Sequence, residues 1–104
     1  MVKKEDEKIL QIVMDALEDN KAEDIVSIDL QGKTSIASYM VVASGTSQRH
    51  VASTAERVQE KLKAAGFTSS IEGEEKADWV LIDAFDVIVH IFKPEVRDFY
   101  SIES

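Results

Sequence analysis

Two closely spaced carboxylates, a hydroxyl-rich turn and two histidines are the residues of this chain whose types could do chemistry. Asp83 and Asp86 bracket Ala84 and Phe85 inside an otherwise apolar stretch, and Ser44-Gly45-Thr46-Ser47 joins a strand-like segment to a helix-like one. A carboxylate pair near such a turn is the kit of a two-metal centre for phosphoryl transfer. No third carboxylate has an obvious place beside the pair, and aspartates that flank a turn are accounted for by turn chemistry. The Ser44–Ser47 turn could receive an anion on its backbone N–H groups, with Arg49 and His50 nearby. It lacks the longer glycine pattern and the lysine of a phosphate loop, so an ordinary strand-to-helix cap is the simpler reading. His90 shares strand parity with Ile88 and Phe92, the setting of a core or half-buried histidine bonded to backbone rather than a general base. His50 falls in the first turn of a helix, where positive charge is disfavoured, and reads as a neutral surface or capping residue. The chain has no cysteine, and none of its serines or threonines sits in a nucleophile motif. No catalytic apparatus, metal or cofactor is expected.

The chain around these residues is 104 residues long, enough for one modest core. A hydrophobic content of 44% with a single proline argues for a folded domain. The net charge of −8 and a pI near 4.7 argue against attraction to nucleic acid or anionic lipid, which depends on Lys and Arg, and favour a basic partner. With no transmembrane-length apolar run and no signal-like start, a soluble, unprocessed, cytoplasmic chain is expected.

Apolar residues Ile9, Leu10, Ile12, Val13, Ala16 and Leu17 recur at helical spacing between Lys3 and Asn20, behind an acidic first turn of Glu5, Asp6 and Glu7. Asp15, Glu18 and Asp19 at the far end read as a solvated face, with partner contact as the alternative. Ile25–Leu30 is a strand, Gln31-Gly32-Lys33 a turn, and a second, antiparallel strand runs through Tyr39–Ala43 to about Ser44. Val51, Ala55, Val58, Leu62 and Ala65 form the stripe of a second helix that stops at Gly66. A short strand near Phe67–Ile71 and an acidic loop, 72–78, lead to a hairpin of Trp79–Ile82 and Val87–Phe92. Neither arm alternates apolar with polar, so the hairpin is expected to be central with both faces covered. Pro94 suits the start of a closing helix, Glu95–Tyr100. The order is α-β-β-α-β-β-β-α: a single α/β domain with a five-stranded mixed sheet, two main helices and a short C-terminal helix.

Two full helices and one short one are too few to cover five strands. Trp79, Leu81 and Asp83 project from one face of the fourth strand. Rimmed by Glu72, Glu74, Glu75, Asp78, Asp83 and Asp86, this tryptophan has the make-up of an interface hot spot in an acidic setting. The alternative packs Trp79 beneath a helix. The same patch could pair two free copies as a homodimer.

Ala43-Ser44-Gly45-Thr46-Ser47-Gln48-Arg49-His50-Val51, then Ile71-Glu72-Gly73-Glu74 leading to Ala77-Asp78-Trp79-Val80, then the segments Asp86–Phe92 and Pro94–Tyr100, follow one another with the order and spacing of a known family. From the first helix onward the chain resembles the ribosomal silencing factor (Iojap, RsfS) family. The resemblance implies a mixed-sheet α/β domain related in fold to nucleotidyltransferases but without transferase activity. It also implies binding to a basic ribosomal protein, the fourteenth of the large subunit, on the intersubunit face. That binding would block the small subunit and lower translation when nutrients are scarce. A basic partner complements the charge of −8. The family's tryptophan falls on Trp79 and a second contact position on Ala84. The family turn of aspartate, bulky residue, glycine and aspartate is here Asp83-Ala84-Phe85-Asp86. Phe85 replaces a glycine, so either the turn type differs or strain is tolerated. Phe85 is expected to supply the apolar contact that Ala84 cannot. The implied docking set is Trp79, Leu81 and Phe85, with Asp78, Asp83 and Asp86 at the rim. The sequence ends at Ser104, before the aromatic tail many relatives carry. The alternative function is a nucleotidyltransferase-like enzyme using Asp83 and Asp86 with a divalent metal.

Overall fold

The computed structural model describes residues 4–30, 32, 37–73 and 78–95. The helical stripe of the first segment becomes α1 (Lys4–Asp19), whose Ile9, Val13, Ala16 and Leu17 are fully buried. The second becomes α2 (Gln48–Ala64), with Val51, Ala55, Val58 and Leu62 buried and Ser47 capping its start by accepting the His50 N–H at 3.1 Å. Both helices end in the same way. The Lys21 and Ala22 amides reach back to the carbonyls of Glu18 and Leu17, and those of Gly66 and Phe67 to Lys63 and Leu62, which is the paired 5→2 and 6→1 closure of a Schellman motif. The left-handed residue of that motif is Lys21 (φ 59°) in one case and Gly66 (φ 91°) in the other.

Five strands form one sheet: β1 (Glu23–Asp29), β2 (Tyr39–Ser44), β3 (Ser70–Glu72), β4 (Trp79–Ala84) and β5 (Val87–Phe92), in spatial order β1-β2-β5-β4-β3. β1 and β2 are antiparallel as expected, and β5 lies at the centre, parallel to β2 and antiparallel to β4. The two helices pack on one side. Val41 and Ala43 of β2, Val80, Ile82 and Ala84 of β4, and Val87, Val89 and Ile91 of β5 point into that layer and are fully buried with the helix stripes. Gly45 lets α2 approach, because a Cβ there would stand 2.6 Å from a methyl of Val51.

The structure moves several boundaries. β1 begins at Glu23, with an irregularity between Glu23 and Val26 and a positive φ of 48° at Asp24. Such a bulge adds a residue to one strand and re-aims the side chains beside it, and here Ile25 packs against the core. β3 begins at Ser70, since the Phe67 amide is used to close α2. β4 runs on through Asp83 and Ala84, leaving a turn of only Phe85 and Asp86. Pro94 and Glu95 are helical, and the remainder of the expected closing helix lies outside the described residues.

Candidate functional site

Strand parity and register build the other face of the sheet row by row. Trp79 lies opposite Phe92, and Phe92 opposite Ser44; Leu81 lies opposite His90, and His90 opposite Val42, which pairs with Val26. Asp83 lies opposite Ile88, Ile88 opposite Met40, and Met40 opposite Ile28. Among the described residues no helix crosses this face. Phe92 and Val42 are nonetheless fully buried, whereas Trp79 and Val26 are 36% and 37% exposed and Leu81, Ile88, Met40 and Ile28 are half-buried. The burial of β4 therefore alternates, unlike its sequence: Val80, Ile82 and Ala84 go under the helices, and Trp79, Leu81 and Asp83 face away.

The indole of Trp79 stacks on Phe92, with ring centroids 5.0 Å apart and an interplanar angle of 26°. Its Nε1–H donates to Nδ1 of His90 at 3.0 Å. An indole nitrogen only donates, so Nδ1 must accept and the His90 proton sits on Nε2. Burial pushes the His90 pKa below its ordinary value, which favours that neutral form. The bond expected from His90 to backbone is replaced by one to a side chain. Sequence parity put His90 and Trp79 on apolar strands, but only the register reveals that they meet. Gly73 was missed as well. It takes a φ of 85°, and a Cβ there would collide with the Trp79 carbonyl. Its place in an acidic stretch six residues before the tryptophan is the available signal.

The other expected docking residues are scattered. Ala84 is fully buried in the helix-side core, so its side chain is out of reach of a partner on the open face. Asp78 accepts from Gln48 Nε2 at 2.8 Å and lies 3.7 Å from Lys93 Nζ, so its carboxylate already has partners in the domain. Asp86 uses its carbonyl to accept the Ser38 and Tyr39 amides at 2.7 and 3.2 Å. Phe85 is 58% exposed with a φ of 57°; the turn keeps its left-handed residue and places a phenylalanine in it. Its ring meets Phe67 edge to face at 6.0 Å, with Lys8 Nζ 5.9 Å from the centroid of the Phe67 ring. Six residues of strand separate Phe85 from Trp79, about 20 Å.

The enzyme alternative needs Asp83, Asp86 and the Gly45-Thr46-Ser47 turn in one place. Ser44 ends beside Phe92, whereas Asp83 pairs with Ile88, four residues and about 13 Å back along β5. The amide of Thr46 is taken by His50 Nδ1 at 2.9 Å and that of His50 by Ser47, which makes the turn a helix cap. Among the described residues no cluster of three His, Asp or Glu side chains is placed to hold a metal ion, and no helix is long and apolar enough to cross a membrane. The acidic end of α1 is partnered within the domain: Asp19 accepts from Arg57 at 2.7 Å and lies 3.5 Å from Lys61.

These features define a small α/β domain with a mixed sheet, two helices on one side and a tryptophan on the other. The family model described as ribosomal silencing factor during starvation matches residues 3–104. A ribosomal silencing factor of Zymomonas mobilis is 52% identical over 98 residues, covering 93% of this chain and 74% of that protein. A crystal structure of a Chromobacterium violaceum protein superposes with a TM-score of 0.91 at 46% identity, covering 93% of this chain and 82% of the other. One from Bacillus halodurans gives 0.86 at 32% identity, covering 93% and 91%. The chain belongs to the ribosomal silencing factor family.

Proposed function

We propose that this domain represses translation by docking the sheet face that bears Trp79, opposite α1 and α2, on the large ribosomal subunit, so that its bulk stands where the small subunit must join. The partner is a basic ribosomal protein, the fourteenth of the large subunit, on the intersubunit face. The observation that carries the proposal is Trp79, over one-third exposed and stacked on buried Phe92, at the head of an apolar face formed by Leu81, Ile88, Met40, Ile28 and Val26. A rigid aromatic anchor on an apolar patch is the usual composition of a binding hot spot. The charge of −8 supports a basic partner and disfavours direct contact with RNA. Asp83 supplies a carboxylate on the face itself, Asp78 and Asp86 stand at its ends, and Phe85 is an outlying contact. A patch of roughly 800 Å² on each partner is wide enough to reach from Trp79 to Phe85. The free chain can pair through the same face with a second copy. No chemical step is required, and the compartment is that of the ribosome, the cytoplasm.

Cosedimentation with isolated large subunits tests the proposal. Trp79→Ala should weaken binding by at least ~2 kcal/mol while its circular dichroism stays that of the parent. A folded Trp79→Ala chain that binds and blocks subunit joining as the parent does would refute it.

A further inference from the structure

We propose that His90 is the positioning residue of this face: by accepting the indole N–H of Trp79 it fixes which edge of the ring is presented, and it does so only while the imidazole is neutral. The inference rests on the docking reading above for its consequence at the ribosome, but the bond itself is tested without ribosomes.

Phe92 and His90 constrain different freedoms of the indole. Stacking on Phe92 holds the plane of the indole, at 26° and 5.0 Å, yet stacking alone permits the ring to turn within that plane. The 3.0 Å bond from Nε1 to Nδ1 removes that freedom. His90 is itself held, parallel to the Phe92 ring within 14° at a centroid separation of 5.8 Å and only 8% exposed. Protonation would place an N–H on Nδ1, facing the indole N–H donor to donor, and the bond would be lost. Directly across from His90 stand Leu81 on β4 and Val42 on β2, both apolar. Among the described residues, the charged groups on this face are Asp83 on β4, Glu72 of β3 beyond Leu81, and Glu23 of β1 beyond Ser44, with Asp78 and Asp86 at its ends. Glu72 shares the row of His90 but stands two strands away, about 10 Å, with Leu81 between them, and the others lie outside that row; burial is what lowers the pKa of His90. The bond is therefore intact at neutral pH and broken in acid.

Trp79 is the only tryptophan, so the emission reports on the surroundings of this one indole. Between about pH 8 and about pH 5, emission of the native chain should titrate reversibly with a midpoint below the ordinary imidazole value. His90→Asn offers a non-titrating acceptor near the Nδ1 position and His90→Phe keeps a ring without any acceptor. Both should be flat over this range, with the His90→Phe spectrum displaced from the parent at neutral pH. Large-subunit affinity should fall about tenfold in His90→Phe and less in His90→Asn. A parent emission that is flat while the chain stays folded overturns the inference, as does a titration that survives in His90→Asn. His90→Phe with parental emission and affinity would do the same. If emission titrates as expected but the native chain fails to cosediment with large subunits, the docking reading fails and the positioning bond stands.

Discussion

His50 ties the end of α1 to the start of α2, its Nε2 donating to the Asn20 carbonyl at 2.7 Å. The backbone N–H of Thr46 donates to Nδ1 at 2.9 Å, so the ring is neutral with its proton on Nε2. Asn20 returns the contact through its amide, which donates to Thr54 Oγ1 at 2.8 Å and Ser53 Oγ at 3.2 Å. His50→Ala would leave the Asn20 carbonyl and the Thr46 amide without these partners, at a cost of about 1–3 kcal/mol. The check is a urea unfolding curve, in which the midpoint should drop while the slope stays parental. An unmoved midpoint would mean that solvent replaces His50 at no cost.

The end of α1 offers the opposite sign. Lys21 is exposed and held at φ 59°, a conformation that costs a side-chain-bearing residue about 1 kcal/mol and glycine nothing comparable. At the equivalent place in α2 the chain uses Gly66. Lys21→Gly is therefore expected to raise stability by up to about 1 kcal/mol, less the greater freedom of glycine in the unfolded chain. Gly66→Ala should lower it. Thermal midpoints that move in the same direction for both variants would contradict the assignment of the two caps.

The contrast between these two caps shows what was legible in the sequence. Gly66 announced the end of α2 because glycine is cheap at positive φ, whereas Lys21 gave no such sign, and its role follows only from the Leu17 and Glu18 carbonyls it helps to close. The hairpin from Trp79 to Phe92 could be read from its β-branched runs, and the pairing of β1 with β2 from the short connection between them. Periodicity says which residues share a face but not which face receives the helices. Ala84 enters the docking set only through the family's contact position, although its parity opposes that of Trp79 and Leu81, and the layer of α1 and α2 places it in the core. Contacts between segments distant in sequence, such as Asp19 with Arg57 or Trp79 with His90, leave no mark in local spacing. The first depends on how α1 and α2 pack and the second on the β4–β5 register, which no run of residues encodes by itself.

Acid should destabilise the domain in two separate windows. His90 has a depressed pKa through burial, so the unfolded chain binds its proton more readily than the folded one. Its contribution is complete above the ordinary imidazole value and is lost as pH falls through the folded value. Asp19 is held below its ordinary 3.8 first by the hydrogen bond from Arg57 and then by the charge of Lys61. Its contribution, small because the pair is exposed and screened, disappears only at still lower pH. Stability measured by urea titration at a series of pH values should begin to decline near neutrality in the parent. In His90→Phe the decline over that range should be smaller. Superimposable profiles for the two would show that His90 is as easily protonated in the fold as out of it.

Phe85 combines a left-handed backbone with an exposed ring, and the two can be separated by substitution. A non-glycine residue at φ 57° is strained, and strain retained at an exposed aromatic points to a use for the ring. Phe85→Ala keeps the Cβ responsible for the strain and loses the edge-to-face contact with Phe67, worth about 0.5–1.5 kcal/mol. Phe85→Gly loses the same contact but relieves the backbone, and should be more stable than Phe85→Ala by about 1 kcal/mol. If the ring touches the ribosome as an outlying contact, both variants bind large subunits more weakly than the parent by a similar factor. That loss should be smaller than for Trp79→Ala, because the ring lies about 20 Å from the stacked indole and outside the best-desolvated centre of the patch. Parental affinity in Phe85→Ala, measured by the same cosedimentation, would confine docking to the Trp79 end of β4 and leave the phenylalanine as a local brace for Phe67.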